Sequence, residues 1–167
     1  MRIAVTDANI FIDLIKLQML GYLFSADIEI YSTREVVDQL NDNQYEKVDA
    51  FIQAKVLKVH NFSSAEIAEI LQMPAPRALE FPDKAVAYLA AKIEAEVLTG
   101  DGPLRKFCEK NNLVVRGIIW LFDVFIEKQI INHQEAIERM NQLLSFNGRL
   151  PKDECLNRIK VWDHRNT

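Results

Sequence analysis

Histidine, cysteine, glycine and proline are all scarce in this chain of 167 residues, at three, two, five and five. Cys108 and Cys155 show no metal-ligand spacing, which excludes a disulfide framework and a thiolate zinc site; two reduced thiols are expected. His60, His133 and His164 are scattered, and each is expected at the surface or at a helix cap. So little Gly and Pro excludes collagen-like or low-complexity character. Long apolar runs are missing as well. The longest, Gly117 to Ile126, is interrupted by Asp123 and falls short of the roughly 18–20 residues that span a bilayer. The opening Met-Arg-Ile-Ala-Val-Thr-Asp has no apolar leader, so a cytoplasmic protein without membrane association is expected. Nor is there a basic excess: the net charge of −4 argues against a broad nucleic-acid-binding surface.

What is present is an ordinary globular composition, 49% hydrophobic and 26% charged. A chain of this length buries about two thirds of its unfolded surface. One domain over 1–167 is expected, with 132–167 as a C-terminal helical extension packed on the same core. Charge is unevenly spread. Residues 1–148 hold 15 Lys and Arg against 21 Asp and Glu, whereas residues 149–167 hold 5 against 3. The tail's Arg149, Lys152, Arg158, Lys160 and Arg165 are therefore either phosphate contacts or a solvated helix face.

Strand-like and helix-like segments alternate. Ile3–Thr6, Ile28–Tyr31, Val56–Val59, Glu96–Thr99 and Leu113–Val115 read as strands. Helices are expected over Ile10–Phe24, from Thr33 as N-cap through about Leu40, over Tyr45–Lys55, and from the Ser63-Ser64-Ala65-Glu66 capping box through Leu71. Residues Gln72–Pro82 hold three prolines and read as a loop. Asp83 is expected to open a helix to about Ala95. Later helices are expected over Leu104–Lys110, Ile118–Ile131, Gln134–Phe146 and from Pro151 to about Trp162. This alternation implies an α/β fold, a three-layer α/β/α sandwich on a parallel sheet of about five strands.

In such a sheet, functional groups gather beyond the carboxyl ends of the strands. Asp7 follows the first strand and Asp101 the fourth. Asp83 opens the helix that feeds the fourth strand. Each has a structural alternative as a turn former or helix cap. Together, carboxylates in one cleft repel unless protonated or neutralised by a cation. Oxygen donors without His or Cys suit Mg²⁺ or Mn²⁺ rather than zinc.

Four segments, in order and spacing, resemble the PIN-domain family of metal-dependent ribonucleases, which includes the toxins of many toxin–antitoxin pairs. Val5-Thr6-Asp7-Ala8-Asn9-Ile10-Phe11-Ile12-Asp13-Leu14 is similar to the family's first motif. Phe81-Pro82-Asp83-Lys84-Ala85 is similar to its third-acid helix, and Val97-Leu98-Thr99-Gly100-Asp101 to its fourth motif. Val115-Arg116-Gly117-Ile118-Ile119-Trp120-Leu121-Phe122-Asp123 is similar to the closing strand and helix, and Gly148–Glu154 to an extension found in a subset of members.

The resemblance implies a strand order of 3-2-1-4-5 with the cleft where the order reverses. It implies RNA cleavage with Asp7, Asp83 and Asp101 as metal ligands and with Asn9 and Thr99 in support. It also makes a cognate antitoxin and a homodimer expected partners. One position departs. Thr33-Arg34-Glu35-Val36-Val37-Asp38-Gln39-Leu40 puts Gln39 where the family has its second acid. A glutamine amide carries no charge. Glu35, at i−4 on the expected helix, either substitutes or leaves a catalytically weak RNA- or protein-binding module. Arg105 and Lys106, just after Asp101, are the candidates for a substrate phosphate. Trp120, Phe122 and Phe125 read as core or dimer contact rather than a base-stacking platform.

A haloacid-dehalogenase-like phosphatase is disfavoured because Asn9 stands where its second Asp belongs. A receiver domain fails because the third strand ends in Val59-His60-Asn61.

Overall fold

A computed structural model describes residues 1–166. Its centre is a five-stranded sheet in which every pairing is parallel. The strands are β1 (Arg2–Thr6), β2 (Ile28–Thr33), β3 (Leu57–His60), β4 (Glu96–Leu98) and β5 (Val115–Arg116), in the order β3-β2-β1-β4-β5. The chain winds outward from β1 to β3, then crosses back to lay β4 on the other side of β1. That reversal opens a crevice at the carboxyl ends of β1 and β4. The expected architecture is therefore the observed one, a three-layer α/β/α sandwich.

The central strands are apolar because helices cover them on both faces. Ala4, Val5, Ile30, Val97 and Leu98 are buried outright. Their β-branched content suits a pleated, packed surface. The first helices are α1 (Ala8–Lys16), α2 (Leu20–Leu23), α3 (Arg34–Val37), α4 (Asp42–Gln53) and α5 (Ser64–Gln72). The remainder are α6 (Phe81–Lys92), α7 (Gly102–Lys110), α8 (Ile118–Glu127), α9 (His133–Phe146) and α10 (Lys152–Asn166). Met140 and Leu143 of α9 and Cys155 and Trp162 of α10 belong to the same apolar cluster as β1 and β4. The Trp162 ring stacks on Phe122 of α8, with centroids 6.0 Å apart. Arg158 grips Asp123 through Nε at 3.0 and 3.2 Å and Nη2 at 2.9 Å.

Several helix bounds differ from the sequence expectation, and for one recurrent reason. Gln18, Lys55, Glu94, Asn112 and Gln129 have φ between 55° and 61° just beyond α1, α4, α6, α7 and α8. At each, the next amide reaches back to the carbonyl five residues earlier, as from Met19 to Leu14 (2.8 Å) and from Ile130 to Phe125 (2.8 Å). This is the Schellman arrangement, normally marked by glycine. Here no glycine marks it. The apolar period then runs on unbroken, so one helix was expected over Ile10–Phe24 and another through Ile131.

Starts shifted too. Asn41 caps α4 with a reciprocal Asn41–Gln44 box, four residues before the expected Tyr45. Glu80, not Asp83, is the residue before α6, and Asp83 is its third residue. Among the described residues no helix is long and apolar enough to cross a membrane.

Candidate functional site

Asp7 ends β1 and caps α1. Its backbone N–H donates to the Leu98 carbonyl at 2.9 Å, continuing the β1–β4 ladder, and its Oδ1 accepts from the Ala8 amide at 2.8 Å. Its Oδ2 accepts from the Thr99 hydroxyl at 2.9 Å and from Asn9 Nδ2 at 3.3 Å. Thr99 is fully buried, and its Oγ1 also accepts from the Asp101 amide at 3.0 Å. Asn9 Oδ1 accepts from the Gly100 amide at 3.0 Å. Two side chains thus tie the Asp7 carboxylate to the backbone after β4.

Asp101 caps α7, its Oδ2 accepting from the Leu104 amide at 2.9 Å. Asp83 sits in the first turn of α6, its Oδ2 accepting from the Glu80 amide at 3.0 Å. All three acids therefore stand at helix N-termini, where exposed amides and the helix dipole favour negative charge. Capping uses one oxygen each of Asp83 and Asp101. Their second oxygens have no hydrogen-bond partner among the described residues.

Burial raises the Asp7 pKa above its ordinary value. The Ala8 and Thr99 hydrogen bonds oppose that rise, and the Asp101 charge adds to it. Burial likewise raises Asp83, with the Asp7 and Asp101 charges adding to it. Asp7 and Asp83 thus both feel Asp101, and Asp83 feels Asp7. Below them the buried Cys108 thiol is pushed up to about 12, chiefly by burial and then by the Asp7 charge, so it stays neutral.

The remaining expected residues are placed less tightly. The helix expected through Leu40 stops at Val37, after Thr33 caps it by accepting from the Val36 amide at 3.1 Å. Gln39 lies in the tight turn that follows, its amide bonded to Val36 O at 3.1 Å, and is exposed. Burial of Leu40 and a new start at Asn41 draw the chain out of the helix there. Glu35 and Gln39 therefore do not share a helical face as expected. Glu35 Oε2 is buried with no hydrogen bond. Arg105 pairs with Glu109 at 3.6 Å and its Nη2 lies 3.1 Å from where a Cβ on Gly117 would stand. Lys106 is exposed. Neither hydrogen-bonds to any of the three acids. Phe122 and Phe125 are buried. Trp120 carries the Arg2 and Arg116 guanidiniums at 5.1 and 5.2 Å from its ring centre.

Sequence reasoning missed what surrounds Asp13. It accepts from Asn147 Nδ2 at 2.7 Å, which fastens the corner after α9 to α1. The Asn9–Asp13–Lys16 spacing of one polar helical stripe was the available signal.

Among the described residues no three His, Cys, Asp or Glu side chains form a cage that would hold a metal ion unaided. Mg²⁺ does not require one, because it binds through one or two carboxylates and fills its shell with water and substrate phosphate. The donors at the strand ends, Asp7, Asp83 and Asp101, are hard oxygens. This chemistry fits such a cation.

A parallel sheet whose order reverses between β1 and β4, with acids just beyond those strand ends, defines the class as a doubly wound α/β protein. Within that class, a family model described as a PIN domain matches residues 3–163, and the chain belongs to the PIN-domain family. Comparison with curated proteins gives no match.

Proposed function

We propose that this protein is a Mg²⁺- or Mn²⁺-dependent endoribonuclease that hydrolyses RNA phosphodiester bonds. The supporting observation is that Asp7, Asp83 and Asp101 stand at three helix N-termini within reach of one another's charge, with one oxygen each of Asp83 and Asp101 unpartnered among the described residues. Membership of the PIN-domain family points the same way. In this reading Asp7, Asp83 and Asp101 hold the cation, directly or through water, and Glu35 is the fourth acid in place of Gln39. A bound divalent cation supplies charge neutralisation at the phosphate and a water of lowered pKa. The chain's own part is positional. Thr99 and Asn9 fix the Asp7 carboxylate in one rotamer, and the Ala8 and Glu80 amides favour the charged forms of Asp7 and Asp83 against the burial that raises their pKa. Arg105 and Lys106 are the proposed contacts for substrate phosphate. The family resemblance alone extends the proposal to a toxin with a cognate antitoxin protein and to a homodimer.

A second reading, a PIN-like module that binds RNA or protein without cleaving, is favoured by one observation. The family's second-acid slot holds an exposed, uncharged Gln39. Cleavage of a mixed RNA substrate separates the two. Activity with millimolar Mn²⁺, abolished by EDTA and reduced at least ~100-fold in Asp7→Asn, is the expected result. Full activity in Asp7→Asn contradicts the assignment. RNA binding without cleavage at any metal concentration favours the second reading.

A further inference from the structure

Two guanidiniums stand at the carboxyl edge of the sheet, one on each side of Asp7. Strand register locates the first. Val5 of β1 pairs with Tyr31 of β2, and the Ser32 hydroxyl donates to the Thr6 carbonyl at 2.9 Å, so these strands end level with each other. Thr33 in turn pairs with His60 of β3. Asp7, Arg34 and Asn61 are therefore the first residues beyond three neighbouring strand ends. The Arg34 side chain reaches toward β3, where its Nε donates to Asn61 Oδ1 at 3.4 Å. That contact lies two strand spacings to the side of β1, roughly 10 Å.

Arg105 of α7 stands on the other side. Its Nη2 lies 3.1 Å from the point where a Cβ on Gly117 would stand, and the same point is 3.7 Å from the Thr99 carbonyl oxygen. The guanidinium thus rests over the ends of β4 and β5, beside the residue whose hydroxyl holds Asp7. Gly117 leaves that space open.

Both charges are poorly matched by the fold. Arg34 meets only the neutral Asn61 amide among the described residues, and a 3.4 Å bond is long. Arg105 meets an exposed Glu109 at 3.6 Å, and such an ion pair holds a side chain weakly. Other arginines of the sheet are neutralised: Arg2 and Arg116 share Glu96, at 3.7 and 3.5 Å. The line between Arg34 and Arg105 is open, with Asn61, Gly100 and Gly102 exposed. Guanidinium is the side chain best matched to phosphate, and two of them give an acidic protein local contacts for a polyanion.

We infer that an RNA strand lies across the carboxyl edge of the sheet, from the β3 side to the β5 side, with Arg34 and Arg105 binding phosphates on opposite sides of the scissile bond. This rests on the proposed nuclease function. It adds Arg34 as a substrate-positioning residue and gives the strand a path perpendicular to the β-strands.

For the test, the cleavage site is first mapped on a fluorescent RNA oligonucleotide in Mn²⁺. Arg34→Gln and Arg105→Gln should each raise KM about 5–10-fold, with kcat changing far less. Binding measured in the Asp7→Asn background should lose about 0.7 from its salt slope with either change and about 1.4 with both. Arg34→Lys should restore most of the slope. Shortening the RNA on one side of the mapped site should abolish the KM effect of one arginine only, and shortening it on the other side should abolish that of the other. Loss of both effects from the same side overturns the crossing path. Cleaving wild-type protein with unchanged KM and slope in Arg34→Gln, whatever its melting temperature, overturns this inference and spares the nuclease reading. Wild-type protein that neither binds nor cleaves RNA overturns both.

Discussion

The Asp7 carboxylate shows how much a single side chain is made to carry here. It is buried, it caps a helix, and it lies within the field of two further acids. Its raised pKa has a definite sign for stability. Below the ordinary carboxylate range, Asp7 and Asp83 are protonated in both the folded and the unfolded chain. As pH rises through their elevated values, the folded state still holds protons that the unfolded chain has released, so metal-free stability falls. Asp13 shares that sign. Asp7→Asn should therefore raise the melting temperature of metal-free protein at neutral pH and flatten, in part, its decline with pH. A melting series from pH 4 to 8 in EDTA reads this directly, and a mutant that melts lower at pH 7 counts against it.

Thr99 tests the neighbouring link. Thr99→Val keeps shape but strands a charged acceptor and the Asp101 amide, costing about 1–3 kcal/mol in denaturant unfolding and about 10–100-fold in Mn²⁺ affinity. The second acid is tested by a pair of variants. Glu35→Gln should weaken Mn²⁺ binding by about tenfold, whereas Gln39→Glu should leave it nearly unchanged because that side chain is exposed. A tighter site in Gln39→Glu would return the role to position 39.

Among the elements, strands and capping boxes were legible and helix ends were not. The β-branched runs located all five strands to within two residues, because burial on both faces leaves little else that such runs can be. Ser63 and Glu66 announced α5, and its box is present. The Asn41 box is the exception, because α4 buries only Val48 and its faint apolar period makes Tyr45 read as the start. The C-terminal ends were hidden for a physical reason. Lys55, Glu94, Asn112, Gln18 and Gln129 hold left-handed conformations that carry a Cβ penalty, so no glycine marks the stop. Relief of that penalty is measurable. Lys55→Gly or Glu94→Gly should stabilise the protein by about 0.5–1 kcal/mol each in denaturant titration. Destabilisation of the same size would mean that these side chains make contacts that outweigh the strain. The site followed the same division. Asp7, Asn9, Thr99 and Asp101 flank strand ends, so their nearness to one another is legible in the sequence. Glu35 and Gln39 depend on where a one-turn helix stops, and their relation was misjudged.

At the scale of the whole molecule, strand order turns separate sequence motifs into one crevice. β1 and β4 are neighbours although some 90 residues of chain separate them, and the acids that follow them meet because the sheet reverses there. Placing like charges together in a half-buried cleft lowers stability, and a divalent cation held there, as proposed, would offset that cost. A ligand that binds only the folded state adds RT ln(1 + [L]/Kd), about 2.7 kcal/mol at a hundredfold excess over Kd, which for a chain of this size is on the order of 5–10 °C. Because protons compete for the same oxygens, the gain should grow with pH across the raised carboxylate values. The measurement closest to the central claim is thermal unfolding at pH 7.5, first in EDTA and then in millimolar Mn²⁺. A rise of several degrees that disappears in Asp7→Asn is the predicted result. An unchanged midpoint, or a rise that Asp7→Asn retains in full, would contradict a cation site built on these carboxylates.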